Sequence, residues 1–207
     1  MADAEKALEN EKLKSAVPEE RLAEAKQKLR EGDASSVEEL FSQFLEKKGN
    51  RDKAWAEVAF VLGKLAQDRI DYHSAQKYFD HAVRLASGNG LYLNEAGSMA
   101  HILGEYDQAI KYHEKALESG LKNFGPDHPT VAQSLNNLAL LYYTQGQYAQ
   151  AEPLYKRSLA VWEKALGPDH PNVVTSLENM AVLYRKTGRV KAGQELEKRV
   201  LAIRARQ

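Results

Sequence analysis

The sequence predicts an all-α fold, an α-solenoid (superhelix) of stacked helix–turn–helix units, on three observations. A 42-residue segment is duplicated, apolar residues recur at helical spacing in both halves of each copy, and glycines fall at matching points between the halves. Residues 125–166 read GPDHPTVAQSLNNLALLYYTQGQYAQAEPLYKRSLAVWEKAL, and residues 167–207 read GPDHPNVVTSLENMAVLYRKTGRVKAGQELEKRVLAIRARQ. Aligned without gaps, 18 of 41 positions are identical, which marks a duplication. One amphipathic hairpin cannot bury its apolar face alone, so neighbouring copies must stack.

Along the chain, residues 1–17 are polar apart from Leu8, Leu13 and Val17 and are expected to be a polar N-terminal helix or a disordered segment. Residues 18–50 hold a degenerate first repeat, carried by Ala25, Gly32, Val37 and Phe41. The array proper is expected over 51–207. Its first unit, about 54–87, shows Ala59, Gly63, Ala66, Tyr72, Ala75, Phe79 and Ala82, a spacing of 34 before the next copy. The second, about 90–124, carries Leu93, Gly97, Ala100, Gly104, Tyr106 and Ala109. The third, 129–166, repeats them as Leu135, Ala139, Tyr142, Gly146, Tyr148 and Ala151, and the fourth is 171–207.

Within a unit, Leu135, Leu138, Ala139 and Tyr142 recur at i, i+3, i+4 and i+7, one stripe of a helix. Gly146 ends it, because a residue without Cβ takes the left-handed C-cap at no steric cost. Tyr148, Ala151, Leu154, Tyr155 and Leu159 form the second stripe, and small residues sit where two helices must approach closely. Turns are expected at Gly104, Gly146 and Gly188. The eight residues by which 42 exceeds 34 should lengthen the second helices, because 148–166 runs without a breaker to Gly167. In the last unit Val190, Gly193 and Glu197 replace Tyr148, Ala151 and Tyr155, so 190–204 is expected to be a capping helix and Gln207 a true end.

Composition excludes several function classes. Twenty-nine Lys+Arg balance 29 Asp+Glu, so no broad electrostatic case exists for nucleic acid or an anionic membrane as main partner. A mean hydropathy of −0.57 leaves no apolar run that could span a bilayer. No apolar signal core follows Met1, so a cytoplasmic protein is expected. With no Cys, disulfides and thiol chemistry are excluded. The twice-used Gly-Pro-Asp-His-Pro at 125–129 and 167–171 sets Asp beside His, but convergent ligands for a metal are lacking. Asp127 and Asp169 are expected to cap helices that start at Pro129 and Pro171. No catalytic motif is present, and no enzyme activity, cofactor or metal is expected.

The large–small–aromatic–Gly–Tyr–Ala order over residues 54–207 resembles the tetratricopeptide family, and the 42-residue unit with LGPDHP, SLNNLALLY and AEPLYKRSL is similar to the kinesin light chain type, with its bacterial and nephrocystin-like relatives. That resemblance implies a right-handed superhelix whose first helices line a concave groove. One residue beyond each core stripe runs a second line: Phe60, Lys64 and Gln67; Asn94, Ser98 and His101; Asn136, Leu140 and Tyr143; Glu178, Val182 and Arg185. Asn137 and Asn179 adjoin it, with Gln133 and Thr175 a turn earlier. An amide side chain carries donors and an acceptor, so such a ladder can grip the backbone of an extended peptide.

The expected groove is therefore Lys64, Asn94, Ser98, His101, Gln133, Asn136, Asn137, Tyr143, Thr175, Asn179 and Arg185. The expected function is a non-enzymatic interaction module or adaptor holding a peptide or partner protein. Two alternatives stand beside it: a regulatory or sensor segment of a larger effector, and a self-assembling scaffold joined through charged ends. The last idea rests on net −3 over residues 1–50, from 9 basic and 12 acidic groups, against net +6 over 185–207, from 8 and 2.

Overall fold

In the computed structural model, residues 8–9, 13, 17–48 and 54–206 are described, and no strand occurs among them. The expectation for 1–17 falls mostly outside the described residues. Its three apolar side chains, Leu8, Leu13 and Val17, are described and are buried in the core formed with Leu22, Ala25 and Leu29. The protein is all-α, a helix–turn–helix repeat of the α-solenoid class, and its chain divides into two compact units, Met1–Glu105 and Tyr106–Gln207.

The first unit holds α1 (Glu19–Arg30), α2 (Ala34–Lys48), α3 (Ala54–Asp68), α4 (Tyr72–Leu85) and α5 (Gly90–Ile102). Its core runs through Leu29, Val37, Phe41, Trp55, Leu62 and Leu65. Gly63 lets α3 meet α4: a Cβ there would lie 2.5 Å from the Phe79 ring. Phe60 packs against Phe79 and Tyr92, with ring centroids 5.7 and 5.0 Å away. The buried Tyr92 hydroxyl donates to Glu57 Oε2 at 2.5 Å, tying α5 to α3.

The second unit holds α6 (Tyr106–Phe124), α7 (Pro129–Thr144), α8 (Tyr148–Leu166), α9 (Pro171–Lys186) and α10 (Val190–Arg204). The helix over 148–166 is formed as expected: α8 has 19 residues, about 28 Å at ~1.5 Å per residue, against 14 in α4, so five of the eight extra residues lengthen the second helix. Ala139, Ala151, Tyr155, Met180 and Leu183 form one core cluster, and Val161, Trp162, Val173, Leu177, Val200 and Ile203 another. The buried Ser158 hydroxyl donates to the Ala132 carbonyl at 2.8 Å, pinning α8 to α7.

The turns share one geometry. At Gly146 (φ 75°) the Gln147 N–H bonds the Tyr142 carbonyl and the Gly146 N–H bonds that of Tyr143, a Schellman closure. Gly32, Gly104 and Gly188 repeat it with positive φ. In the turn between α3 and α4 the same place is taken by Ile70, at φ 64° and 71% exposed. A β-branched residue there is strained, and its side chain gains little burial in return.

Helix starts correct one expectation. Because Pro129 and Pro171 occupy the first helical position, the residue before each is the N-cap, and that residue is His. His128 Nδ1 accepts from the Thr130 N–H at 3.2 Å and His170 Nδ1 from the Asn172 N–H at 3.1 Å. The Asp residues, one step further out, form ion pairs instead: Asp127 with Lys164, and Asp169 with Arg206 at 2.7 Å.

Candidate ligand-binding face

In the second unit, α7 and α9 present the second line of residues as a half-buried polar strip. Asn179 Nδ2 donates to Asn136 Oδ1 at 3.2 Å, and Gln133 Nε2 donates to Asn137 Oδ1 at 3.0 Å. The first bond joins the two helices; the second lies one turn apart on α7. An amide has two N–H donors and two acceptor lone pairs. Among the described residues these bonds use only part of that capacity, so the strip still offers donors and acceptors. Tyr143 closes one end, its ring 5.4 Å from that of Tyr148. Val182 is 37% exposed and Leu140 is half-buried beside the aromatic cluster.

The charged members of the strip are already paired. Glu178 accepts from Arg204 at 2.7 Å, and Arg185 bonds Glu197 at 2.8 Å, both partners standing on α10. Thr175 is exposed and turns its hydroxyl back to the Pro171 carbonyl at 3.2 Å.

In the first unit the same line has a different character. Lys64 is held by Glu95 at 2.8 Å and by Gln67 at 3.3 Å, with its ammonium 5.7 and 5.8 Å from the Phe60 and Phe79 rings. Asn94, the repeat counterpart of Asn136, is buried, and its backbone carbonyl accepts from the Ser98 hydroxyl at 2.9 Å. His101 is half-buried, and that burial pushes its pKa below the usual histidine value, so the ring is neutral at pH 7. Gln133, Asn136, Asn137, Tyr143 and Asn179 are thus brought together as accessible polar groups. Lys64 and Asn94 are committed to internal contacts.

The sequence reading missed the ion pairs that clothe the basic end. Arg185, Arg189, Lys198, Arg199, Arg204 and Arg206, six of the eight basic residues in 185–207, each meet a carboxylate within the chain. Four of these or similar pairs span 36 or 37 residues: Asp127–Lys164, Glu152–Arg189, Glu163–Arg199 and Asp169–Arg206. Their signal in the sequence is opposite charge at a fixed offset slightly shorter than the repeat. Arg189 grips both Glu152 oxygens at 2.8 Å, and its hydrogen bonds, with that of Lys156, hold the Glu152 carboxyl down to about 2. Among the described residues no group of three His, Asp or Glu could hold a metal, and no helix is long and apolar enough to cross a membrane.

A tetratricopeptide repeat family profile matches residues 89–160 and 139–206, together more than half of the chain. A search of the curated proteins found no match. Among solved structures, BtubC (BKLC) from P. vanneervenii gives a TM-score of 0.77 at 21% identity, covering 99% of this chain and 89% of that one. A Podosopora anserina protein described as a kinesin light chain with nearly identical TPR-like repeats gives 0.73 at 20%, covering 90% and 94%. YrrB, described as a TPR protein with an unusual peptide-binding site, gives 0.65 at 15%, covering 92% and 88%. At these identities the likeness is one of fold.

Proposed function

Because the chain belongs to the tetratricopeptide repeat family, whose members bind proteins and peptides, we propose that it is a non-enzymatic adaptor holding an extended peptide segment of a partner against the first helices of its repeats. The observation that carries this is the amide strip of α7 and α9, where Asn136, Asn137 and Asn179 are half-buried yet keep hydrogen-bonding capacity. An extended backbone offers an N–H and a C=O at regular intervals, and amides can meet both without selecting a side chain. Gln133 and Tyr143 bound the strip, and Thr175 and Arg185 lie along its α9 side. The first unit, taken by itself, carries Ser98 and His101 at the corresponding positions, with Lys64 held by Glu95 and Asn94 buried.

Docking through a basic end is the weaker reading, since most of the basic groups there are neutralised within the chain. Site-specific photo-crosslinking separates the two. A crosslinker replacing Gln133 should capture the partner in a native extract, and one replacing Lys198 should not. Capture from Lys198 alone would move the site to α10.

A further inference from the structure

The face that we assign to the ligand is electrically closed. Along α9 its two ionic side chains are each matched by a residue of α10: Glu178 by Arg204 at 2.7 Å and Arg185 by Glu197 at 2.8 Å. In the first unit, the cation of the corresponding line, Lys64, is matched by Glu95 at 2.8 Å and half enclosed by two aromatic rings. What the second unit's face leaves open is neutral: the hydrogen-bonding capacity that the Asn136, Asn137 and Asn179 amides keep beyond their bonds to each other and to Gln133, with the apolar surface of Val182 beside them.

We infer that the segment held here is an uncharged, extended stretch of polypeptide, recognised through its backbone and one apolar side chain, rather than an acidic motif or a free carboxyl terminus. The inference rests on the peptide-binding reading and narrows it. A ligand carboxylate approaching Arg185 would displace Glu197, exchanging one carboxylate for another, and a ligand cation approaching Glu178 would displace Arg204. Each exchange breaks a bond like the one it makes, so charge on the ligand gains nothing on this face. A backbone amide can bond the donor and acceptor capacity that the mutual bonds of the Asn side chains leave unused, displacing none of them. An aliphatic side chain alternating out of the extended segment has Val182 to rest on. His101 is neutral at pH 7 through burial and adds no charge to the line in the first unit.

The test uses the full chain and a random short-peptide display library with both peptide termini capped. Enriched peptides are titrated against the wild type and against Asn136→Ala/Asn179→Ala, with Asn137→Ala as a second variant that leaves the interhelix bond in place. Titrations are run at ~0.1 and ~1 M salt, which shortens the Debye length from ~10 to ~3 Å. Expected are peptides poor in charged residues and carrying an aliphatic side chain, with affinities that change by less than about twofold between the two salts. Affinity should fall on the order of tenfold when the amides are removed. Acidic or basic peptides that weaken strongly in salt, yet still need the amides, would overturn the neutral-ligand inference and leave the peptide-binding face intact. Peptides indifferent to all three Asn residues, or no enrichment at all, would overturn the face itself and the inference with it.

Discussion

Asn179 on α9 donates its amide N–H to the Asn136 carbonyl on α7 at 3.2 Å, one bond between equivalent regions of successive repeats. It joins the two first helices and uses one donor of Asn179 and one acceptor site of Asn136, which leaves both amides further hydrogen-bonding capacity. Removing Asn179 by Asn179→Ala should therefore loosen ligand contact more than it loosens the fold. Chemical denaturation should show a loss of only about 0.5–1.5 kcal/mol, the net worth of one neutral hydrogen bond. A collapse of several kcal/mol would make Asn179 a core residue.

Gly63 faces the Phe79 ring so closely that a Cβ would lie 2.5 Å away. Gly63→Ala must push α4 away or force Phe79 off its rotamer, and overpacking of this kind costs about 1–3 kcal/mol. The urea midpoint of the variant measures it, and an unchanged midpoint would show that the contact relaxes.

Ile70 stands at φ 64° in a turn whose counterparts are glycines, with its side chain 71% exposed. The left-handed conformation costs an L-residue roughly 1–2 kcal/mol, and glycine's greater freedom in the unfolded chain returns roughly half of that. Ile70→Gly should raise stability by up to about 1 kcal/mol in thermal or urea unfolding. A destabilised variant would mean that the Ile70 side chain makes a contact worth more than its strain.

The N-caps of α7 and α9 are histidines, so His170→Ala should cost about 1 kcal/mol, within the ~0.5–2 kcal/mol range for a lost N-cap, and His170→Ser should restore most of it. Asp169→Ala removes the exposed pair with Arg206, which at the surface is worth about 0–1 kcal/mol. Equal losses at the two positions, read from urea unfolding, would contradict the assignment of the cap to His.

Glu152 has its pKa lowered from 4.5 to about 2 by hydrogen bonds from Arg189 and Lys156. A carboxyl whose folded pKa is depressed contributes stability above its unfolded value and loses it as pH falls toward the folded one. Stability from this pair is thus complete above pH 4.5 and disappears progressively down to pH 2. Arg189→Ala should flatten the fall of unfolding free energy with acid in that window. Lys156 keeps a part of the effect. A wild-type slope in the variant would show that Arg189 does not hold the carboxyl.

The period, the hairpin turns and the core stripes were legible because each repeats: Gly104, Gly146 and Gly188 mark turns that the backbone confirms with φ of 80°, 75° and 78°. Ile70 stands 38 residues after Gly32 and 34 before Gly104, in the glycine's register, but its residue type carries no turn signal; the Schellman hydrogen bonds establish the turn there. Asp127 and Asp169 have the chemistry of a cap, but the position of proline decides which residue stands at the cap, and it selects His. Asn94 and Asn136 occupy one repeat position, yet Asn94 is buried and Asn136 only half so. Periodicity places a residue on a face; what the neighbouring helices lay over that face depends on contacts that no local pattern encodes. The Arg185–Glu197 and Arg204–Glu178 pairs belong to the same class of information.

The most direct measurement is calorimetric titration of the partner's segment, identified by the Gln133 crosslink, into three forms of the protein: wild type, Asn136→Ala/Asn137→Ala, and Arg199→Glu. Two lost neutral hydrogen bonds, at about 0.5–1.5 kcal/mol each, should weaken the Asn variant on the order of tenfold. The Arg variant should bind within about twofold of wild type, since Arg199 pairs with Glu163 on α8 and takes no part in the amide strip. Undiminished affinity in the Asn variant together with loss in the Arg variant would contradict the account and place the ligand on α10.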